Sequence, residues 1–173
     1  MKKVFVLILS LIIVTAAVTA FAEEKVLNWN ETEKSAAQTG GEFQSFDAAG
    51  LKVWIPSSFR EEELADEDKA NGYLAYYSAD NDSLIVAVVY LKTETTTREG
   101  YIKALEGIDS VSNITSMTIN GIPAVFYDME ASETSSVSVV REDGYVFEIT
   151  IYPTSDADSR AAALMIFSSI QQN

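Results

Sequence analysis

The sequence predicts an α+β domain in which a mainly antiparallel sheet of hairpins is covered by helices, as in an α/β/α sandwich. Residues 84–91, LIVAVVYL, are apolar throughout and too short for a helix, so they form a strand covered on both faces. The dipeptides at 120–121, Asn-Gly, and 143–144, Asp-Gly, are strong hairpin signals. Residues 156–171 show helical periodicity. Hairpins without a regular strand–helix alternation favour an antiparallel sheet.

The first half of the chain predicts one helix followed by two hairpins. Residues 27–39 form the helix, which ends at Gly40 and Gly41 because glycine readily adopts the conformation of a helix C-terminus. Turn-forming residues then separate short extended segments. The predicted strands cover residues 42–47, 51–55, 73–78 and 83–92.

The second half predicts a helix, a four-stranded meander and a closing helix. Thr96 and Glu99 have the spacing of a capping box, which predicts a helix over 97–108. The meander strands cover residues 113–119, 122–130, 134–141 and 145–152. The closing helix over 156–171 places an apolar stripe on the sheet. That stripe consists of Ala163, Ile166, Phe167 and Ile170.

The first 22 residues have the pattern of a secretory signal peptide. Lys2 and Lys3 precede an apolar run over 4–18, and the segment ends in Ala-Phe-Ala at 20–22. A membrane anchor is the alternative, but polar residues interrupt the run and a cleavage pattern ends it. We expect cleavage, no stable membrane insertion afterwards, and a monomer. The predicted mature chain is a single domain over 23–173, with its core over about 42–171, in the cell envelope or outside the cell.

Composition excludes several functions. The net charge of −14 becomes −16 if Lys2 and Lys3 leave with the signal peptide, and such a surface repels nucleic acids and anionic lipids. The chain has no cysteine and no histidine, which excludes Ser-His-Asp and Cys-His catalysis and the usual zinc and haem ligands. Carboxylate pairs, Ser-Lys pairs and oxygen ligands for a hard cation remain possible. We expect no cofactor.

An acidic segment is the candidate partner surface. Residues 60–72, REEELADEDKANG, connect the two predicted hairpins and contain a short predicted helix near 64–70, anchored by Leu64. Six carboxylates lie here: Glu61, Glu62, Glu63, Asp66, Glu67 and Asp68. The aromatic residues of the strands are expected mainly in the core, and Trp54, which alternates away from the apolar residues of its strand, is the best candidate for exposure. These seven residues form the predicted ligand or partner surface, without a metal site or catalytic residue among them.

Three segments resemble the PsbP-like group, which includes extrinsic photosystem II subunits and DcrB-type bacterial envelope proteins. They are SFDAAGLKVWIPSSF at 45–59, INGIPAVFYDME at 119–130 and REDGYVFEITIYPTSDAD at 141–158. The resemblance implies an α/β/α sandwich and a secreted accessory or binding protein of unassigned activity. No functional residue carries over, because no binding motif of the group matches this sequence.

The expected function is therefore a secreted, non-catalytic binding or accessory domain of the bacterial envelope or exterior. Its partner is an unknown protein or envelope component. One alternative is a cofactor-independent hydrolase that uses carboxylates, with Glu148 or the pair Asp128 and Glu130 as candidates. Another is weak calcium binding at the acidic segment, although its carboxylates lack a recognised calcium-loop spacing.

Overall fold

The computed structural model describes residues 24–80 and 83–173. The predicted signal peptide, residues 1–22, lies outside these ranges. Within them, no helix is both long enough and apolar enough to cross a membrane.

The described chain contains eleven strands and four α-helices. The strands are β1 (Lys25–Leu27), β2 (Gly41–Phe46), β3 (Leu51–Pro56), β4 (Phe59–Glu61), β5 (Tyr73–Ala79), β6 (Ile85–Lys92), β7 (Val111–Ile119), β8 (Ile122–Met129), β9 (Thr134–Val140), β10 (Tyr145–Tyr152) and β11 (Gln171–Gln172). The helices are α1 (Trp29–Thr39), α2 (Asp66–Ala70), α3 (Arg98–Glu106) and α4 (Ala157–Ser168). A 3-10 turn, Glu130–Ser132, follows β8.

Eight strands form one large sheet in the order β1-β7-β8-β9-β10-β6-β5-β4. Only the β1–β7 pair is parallel, and the predicted meander of β7 to β10 is confirmed. Asn120 and Gly121 both have positive φ, as a two-residue type I′ turn requires. The other predicted hairpin forms differently: in the turn before β10 Gly144 has positive φ but Asp143 does not, which is typical of a longer loop ending in a glycine bulge.

The first predicted hairpin forms a separate sheet, which is the main difference from the expected sandwich. Strands β2 and β3 pair with each other and β11 adds to β3, giving the order β11-β3-β2. This small sheet and α4 together cover one face of the large sheet. Helix α3 packs on the opposite face, and α1 packs on the outer side of the small sheet. The predicted α+β class is confirmed, with a second sheet taking part of the place of a helical layer.

The main core lies between the large sheet and its covering layer. Strands β6 and β10 contribute side chains that are completely buried, as do β3 and α4 opposite them. The predicted stripe is buried at all four positions, although α4 ends at Ser168 and Ile170 follows it. Fully buried members include Leu51, Val53, Val86, Val88, Phe147, Ile149, Ile151, Ile166 and Ile170.

Asn120 connects the turn between β7 and β8 to two other parts of the fold. Its Oδ1 accepts a hydrogen bond from the Trp29 backbone N–H at 2.8 Å. Its Nδ2 donates to the backbone oxygens of Ser168 and Ile170 at 2.7 and 2.9 Å. One amide side chain therefore provides hydrogen-bond partners for backbone groups at the start of α1 and at the end of α4. The Asn120 backbone meanwhile adopts the turn conformation, with φ of 48°.

Replacement of Asn120 separates the contribution of its side-chain hydrogen bonds to stability from that of its turn conformation. We expect Asn120→Gly to lower the free energy of unfolding by about 2–4 kcal/mol, because it removes three hydrogen bonds but keeps the turn conformation. Asn120→Ala should cost about 1 kcal/mol more, because a Cβ disfavours positive φ. Urea unfolding of the three proteins measures both steps. Wild-type stability in the glycine variant would show that the amide contacts contribute nothing.

Candidate functional site

The acidic segment starts at an edge of the large sheet. Strand β4 is the last strand of that sheet, and the chain runs from it through α2 to β5. The predicted short helix is confirmed as a single turn over Asp66–Ala70, and Leu64 is half-buried beside it. Because residues of a strand alternate sides, Glu61 and Glu62 face opposite sides of the sheet edge. Four of the six carboxylates are thus divided between two clefts.

The first of these, which we call the tyrosine cleft, combines three carboxylates with three phenol rings. Its volume is about 640 Å³. The acidic members are Glu62, Glu63 and Asp68, and the aromatic members are Tyr73, Tyr76 and Tyr152. Pairing of β5 with β6, and of β6 with β10, brings the tyrosines together from distant parts of the sequence.

Hydrogen bonds and one ion pair order the floor of the tyrosine cleft. The hydroxyl groups of Tyr76 and Tyr152 share a hydrogen bond. The Ser78 hydroxyl donates to Oε1 of Glu62, and the same oxygen lies 2.9 Å from Nε of Arg60. Burial raises the pKa of the Tyr76 phenol, and its hydrogen bond to Tyr152 raises that pKa further. The floor therefore presents phenol rings beside an ordered carboxylate.

The remaining predicted carboxylates do not converge with these. Glu61 lies on the other side of β4, and Asp66 and Glu67 are exposed on α2. Over residues 24–80 and 83–173, no three acidic side chains are grouped so that they could hold a metal ion. Within these ranges, the structure therefore provides no set of ligands for the calcium site considered at the acidic segment.

The expectation that Trp54 is exposed is wrong. Its side chain is only 5% exposed, and its ring centroid lies 5.7 Å from that of Trp29 in α1. The alternation in β3 does turn Trp54 away from the main core, but α1 covers this outer face of the small sheet. The exposed aromatic residue of this sheet is Phe43, with the ammonium group of Lys52 5.3 Å from the centre of its ring.

Glu148 lies in a network of hydroxyl groups beneath α3. Its Oε2 accepts hydrogen bonds from the hydroxyls of Tyr101, Tyr127 and Ser138 at 2.9, 2.9 and 2.6 Å. The Thr150 hydroxyl donates to Oε1 at 3.3 Å. Tyr101 comes from α3, so this network also attaches the helix to the sheet. A carboxylate whose lone pairs are already occupied in this way is typical of a structural contact rather than a general acid.

The other predicted carboxylate pair does not share one strand. Asp128 is in β8, whereas Glu130 begins the 3-10 turn after it. Asp128 accepts hydrogen bonds from Asn113 Nδ2 at 2.9 Å and from the Ser135 hydroxyl at 2.6 Å. The strand face that would have placed both carboxylates side by side thus ends before Glu130.

Comparison with known proteins gives a family and a fold. The model of a family described as a domain of unknown function, DUF4367, matches residues 53–158. No curated protein matches the sequence. The solution structure of cyanobacterial PsbP (CyanoP) from Synechocystis sp. PCC 6803 is similar to this one, with a TM-score of 0.52 and 13% identity over 78% of this chain and 94% of that chain.

A crystal structure from Bacteroides thetaiotaomicron gives a TM-score of 0.49 at 16% identity, and covers 78% of this chain but 49% of that chain. At these identities, only the likeness to CyanoP is informative, and it is informative about fold alone. The PsbP-like architecture expected from the sequence is thereby confirmed.

The two tyrosines that contact Glu148 predict how stability changes at alkaline pH. Burial, followed by the negative charge of Glu148, raises the pKa of Tyr101 and of Tyr127 above the ordinary value of 10.0. The unfolded chain therefore releases these protons first. Their contribution is complete below pH 10 and should decrease above it, by up to about 1.4 kcal/mol per pH unit for each phenol. Replacement of both tyrosines by phenylalanine should make this decrease less steep.

Urea unfolding at pH 8, 10 and 11 measures the effect. Ser138→Ala is the matched control, since it removes a donor to Glu148 without removing a titrating group. It should lower stability at pH 8 by about 1–3 kcal/mol and leave the alkaline slope as in the wild type. Equal slopes in the wild type and the double tyrosine variant would contradict this account.

Proposed function

The chain belongs to the DUF4367 family, and on that premise we propose that it is a secreted, non-catalytic binding domain of the bacterial envelope or exterior. In this proposal the tyrosine cleft holds a cationic segment of a partner protein or envelope component. The partner makes contact with the carboxylates through its positive charges and with the phenol rings through their faces.

The observation that carries this proposal is the composition of the cleft. Its volume of about 640 Å³ is within the range of about 300–1,000 Å³ that is usual for ligand sites. Carboxylates attract a cation through charge, and a tyrosine face attracts it through its quadrupole, by about 0.5–2 kcal/mol. The two kinds of group therefore favour the same class of ligand. The net charge, −14 for the full chain and −16 without Lys2 and Lys3, adds a long-range attraction for positively charged partners.

A binding role also agrees with what the cleft lacks. The chain has neither histidine nor cysteine, so the cleft offers no imidazole base and no thiol nucleophile. Of its carboxylates, Glu62 is already engaged by Ser78 and Arg60. Glu148, one of the carboxylates considered for the hydrolase alternative, is surrounded by hydroxyl donors beneath α3 and does not line this cleft. These features favour recognition over bond cleavage.

The proposed location outside the cytoplasm is supported by the start of the sequence. Residues 1–22 combine two lysines, an apolar run and a small-residue cleavage pattern. Edman sequencing of protein recovered from a bacterial host that exports it would test this point. Cleavage should leave Glu23 as the first residue, and retention of Met1 would contradict it.

Calorimetric titration with an acetylated pentalysine amide tests the binding function. We expect binding that weakens as salt rises from 0.05 to 0.5 M, because added ions screen exposed charges. The double variant Glu63→Gln, Asp68→Asn should weaken binding about three- to tenfold. It removes two ion pairs of about 0.2–1 kcal/mol each, and the lysine then also contacts the phenol rings less closely.

The double variant Glu106→Gln, Glu142→Gln is the matched control, since it removes the same charge from exposed sites at the end of α3 and at the turn before β10. It should change the affinity by less than twofold. Equal weakening in both double variants would show that pentalysine responds only to the total charge, and the proposed site would then be wrong.

A further inference from the structure

A second cleft lies on the other side of β4, between the edges of the two sheets. We call it the inter-sheet slot, and its volume is about 420 Å³. The small sheet contributes Glu42 from β2, and the large sheet contributes Glu61 from β4 and Tyr77 from β5. Ile55, Pro56 and Phe59 supply apolar walls. The slot is separate from the tyrosine cleft, because Glu61 and Glu62 face opposite sides of the sheet edge.

The ring of Tyr77 is buried, and its hydroxyl opens into the slot without a partner among the described residues. Its side chain is only 5% exposed, yet among residues 24–80 and 83–173 no group forms a hydrogen bond with its hydroxyl. The hydroxyl is not fully enclosed, because Ser112 Oγ is the one side-chain oxygen or nitrogen in these ranges that is both completely buried and without a partner. Since Tyr77 lines the slot, a ligand there is a ready source of the missing hydrogen bond.

Two negative charges act on the same phenol from different sheets. Burial and then the charges of Glu61 and Glu42 raise the pKa of Tyr77 to about 12. Glu42 accepts a hydrogen bond from Nε2 of Gln44 at 2.8 Å, but neither carboxylate has an ion-pair partner in the described part of the chain. Both carboxylates thus act on the phenol of Tyr77, and neither is ion-paired within the described residues.

The chemistry of the slot matches one ligand class. A primary ammonium group has three N–H donors, one for each carboxylate and one for the phenol oxygen. The aliphatic stem that carries it would pack on Ile55, Pro56 and Phe59, as lysine stems pack on apolar surfaces. We propose that the inter-sheet slot binds a primary alkylammonium group, as carried by a lysine side chain, between Glu42, Glu61 and Tyr77. This site does not depend on the proposed function of the tyrosine cleft.

Nuclear magnetic resonance titration of the purified protein tests the proposal. The probe is Nα-acetyl-lysine methylamide, and Nα-acetyl-norleucine methylamide is its uncharged match. The lysine compound should give saturable shifts of backbone amide signals around Glu42, Glu61 and Tyr77. The norleucine compound should give none at the same concentration, because the charge is missing.

Variants connect these shifts to the three polar groups. We expect Glu42→Gln and Glu61→Gln each to weaken binding about three- to tenfold, and Tyr77→Phe about threefold. Glu42 and Glu61 are exposed, so their replacement should leave the fold intact. Glu142→Gln, which removes one exposed charge at the turn before β10, is the control and should change the affinity by less than twofold.

Three outcomes would overturn the proposal: no shifts near the slot, equal shifts with the norleucine compound, or equal weakening in Glu42→Gln, Glu61→Gln and the control. Butylamine distinguishes the source of the ligand. If the lysine compound binds at least as tightly, a protein side chain is the ligand, whereas tighter binding of butylamine indicates a free amine. Failure of this site leaves the tyrosine cleft untouched, because its signals come from different residues.

Discussion

The burial of one face of β6 and β10 is the constraint on which the rest of this structure depends. Val86 and Val88 in β6, and Phe147, Ile149 and Ile151 in β10, are completely buried, and each such side chain stabilises the fold by roughly 1.5–3 kcal/mol. No single helix can cover a face shared by eight strands. The small sheet and α4 cover it together, and the outer face of the small sheet then needs α1 in turn. The need to bury each apolar face thus determines which layer packs next in the fold.

Elements with local signals could be predicted from the sequence, whereas the pairing of short strands could not. The Asn-Gly turn before β8 is encoded by two adjacent residues, and the apolar stripe of the closing helix by residues three or four positions apart. Both are where they were expected. Strands β1, β4 and β11 have three, three and two residues, too few to show a pattern. The second sheet was missed for a related reason, because the alternation in β3 is the same whichever sheet it joins.

Because strand pairing could not be predicted, the composition of the two clefts could not be predicted either. The acidic segment was visible as composition, but its division between two clefts depends on β4, and the tyrosines reach it only through the pairing of β5, β6 and β10. The prediction for Trp54 failed for a different reason. Its alternation correctly indicated the outer face of the small sheet, but alternation does not tell what covers a face. A site made of several strands therefore requires the register of the sheet, which no single segment contains.

Protection of the sheet edge is the simplest account of the carboxylates around β4. An unpaired edge strand can pair with another copy of the chain, and charged side chains oppose this. Self-pairing at β4 would bring Glu61 and Glu62 of two copies together, so the acidic segment opposes pairing at this edge. This account does not extend to the tyrosines. Protection of an edge requires neither three phenols gathered in one cleft nor the Tyr77 hydroxyl placed between Glu42 and Glu61 in the slot. Binding of a cationic ligand, as we propose for both clefts, accounts for these features and for the surrounding negative charge.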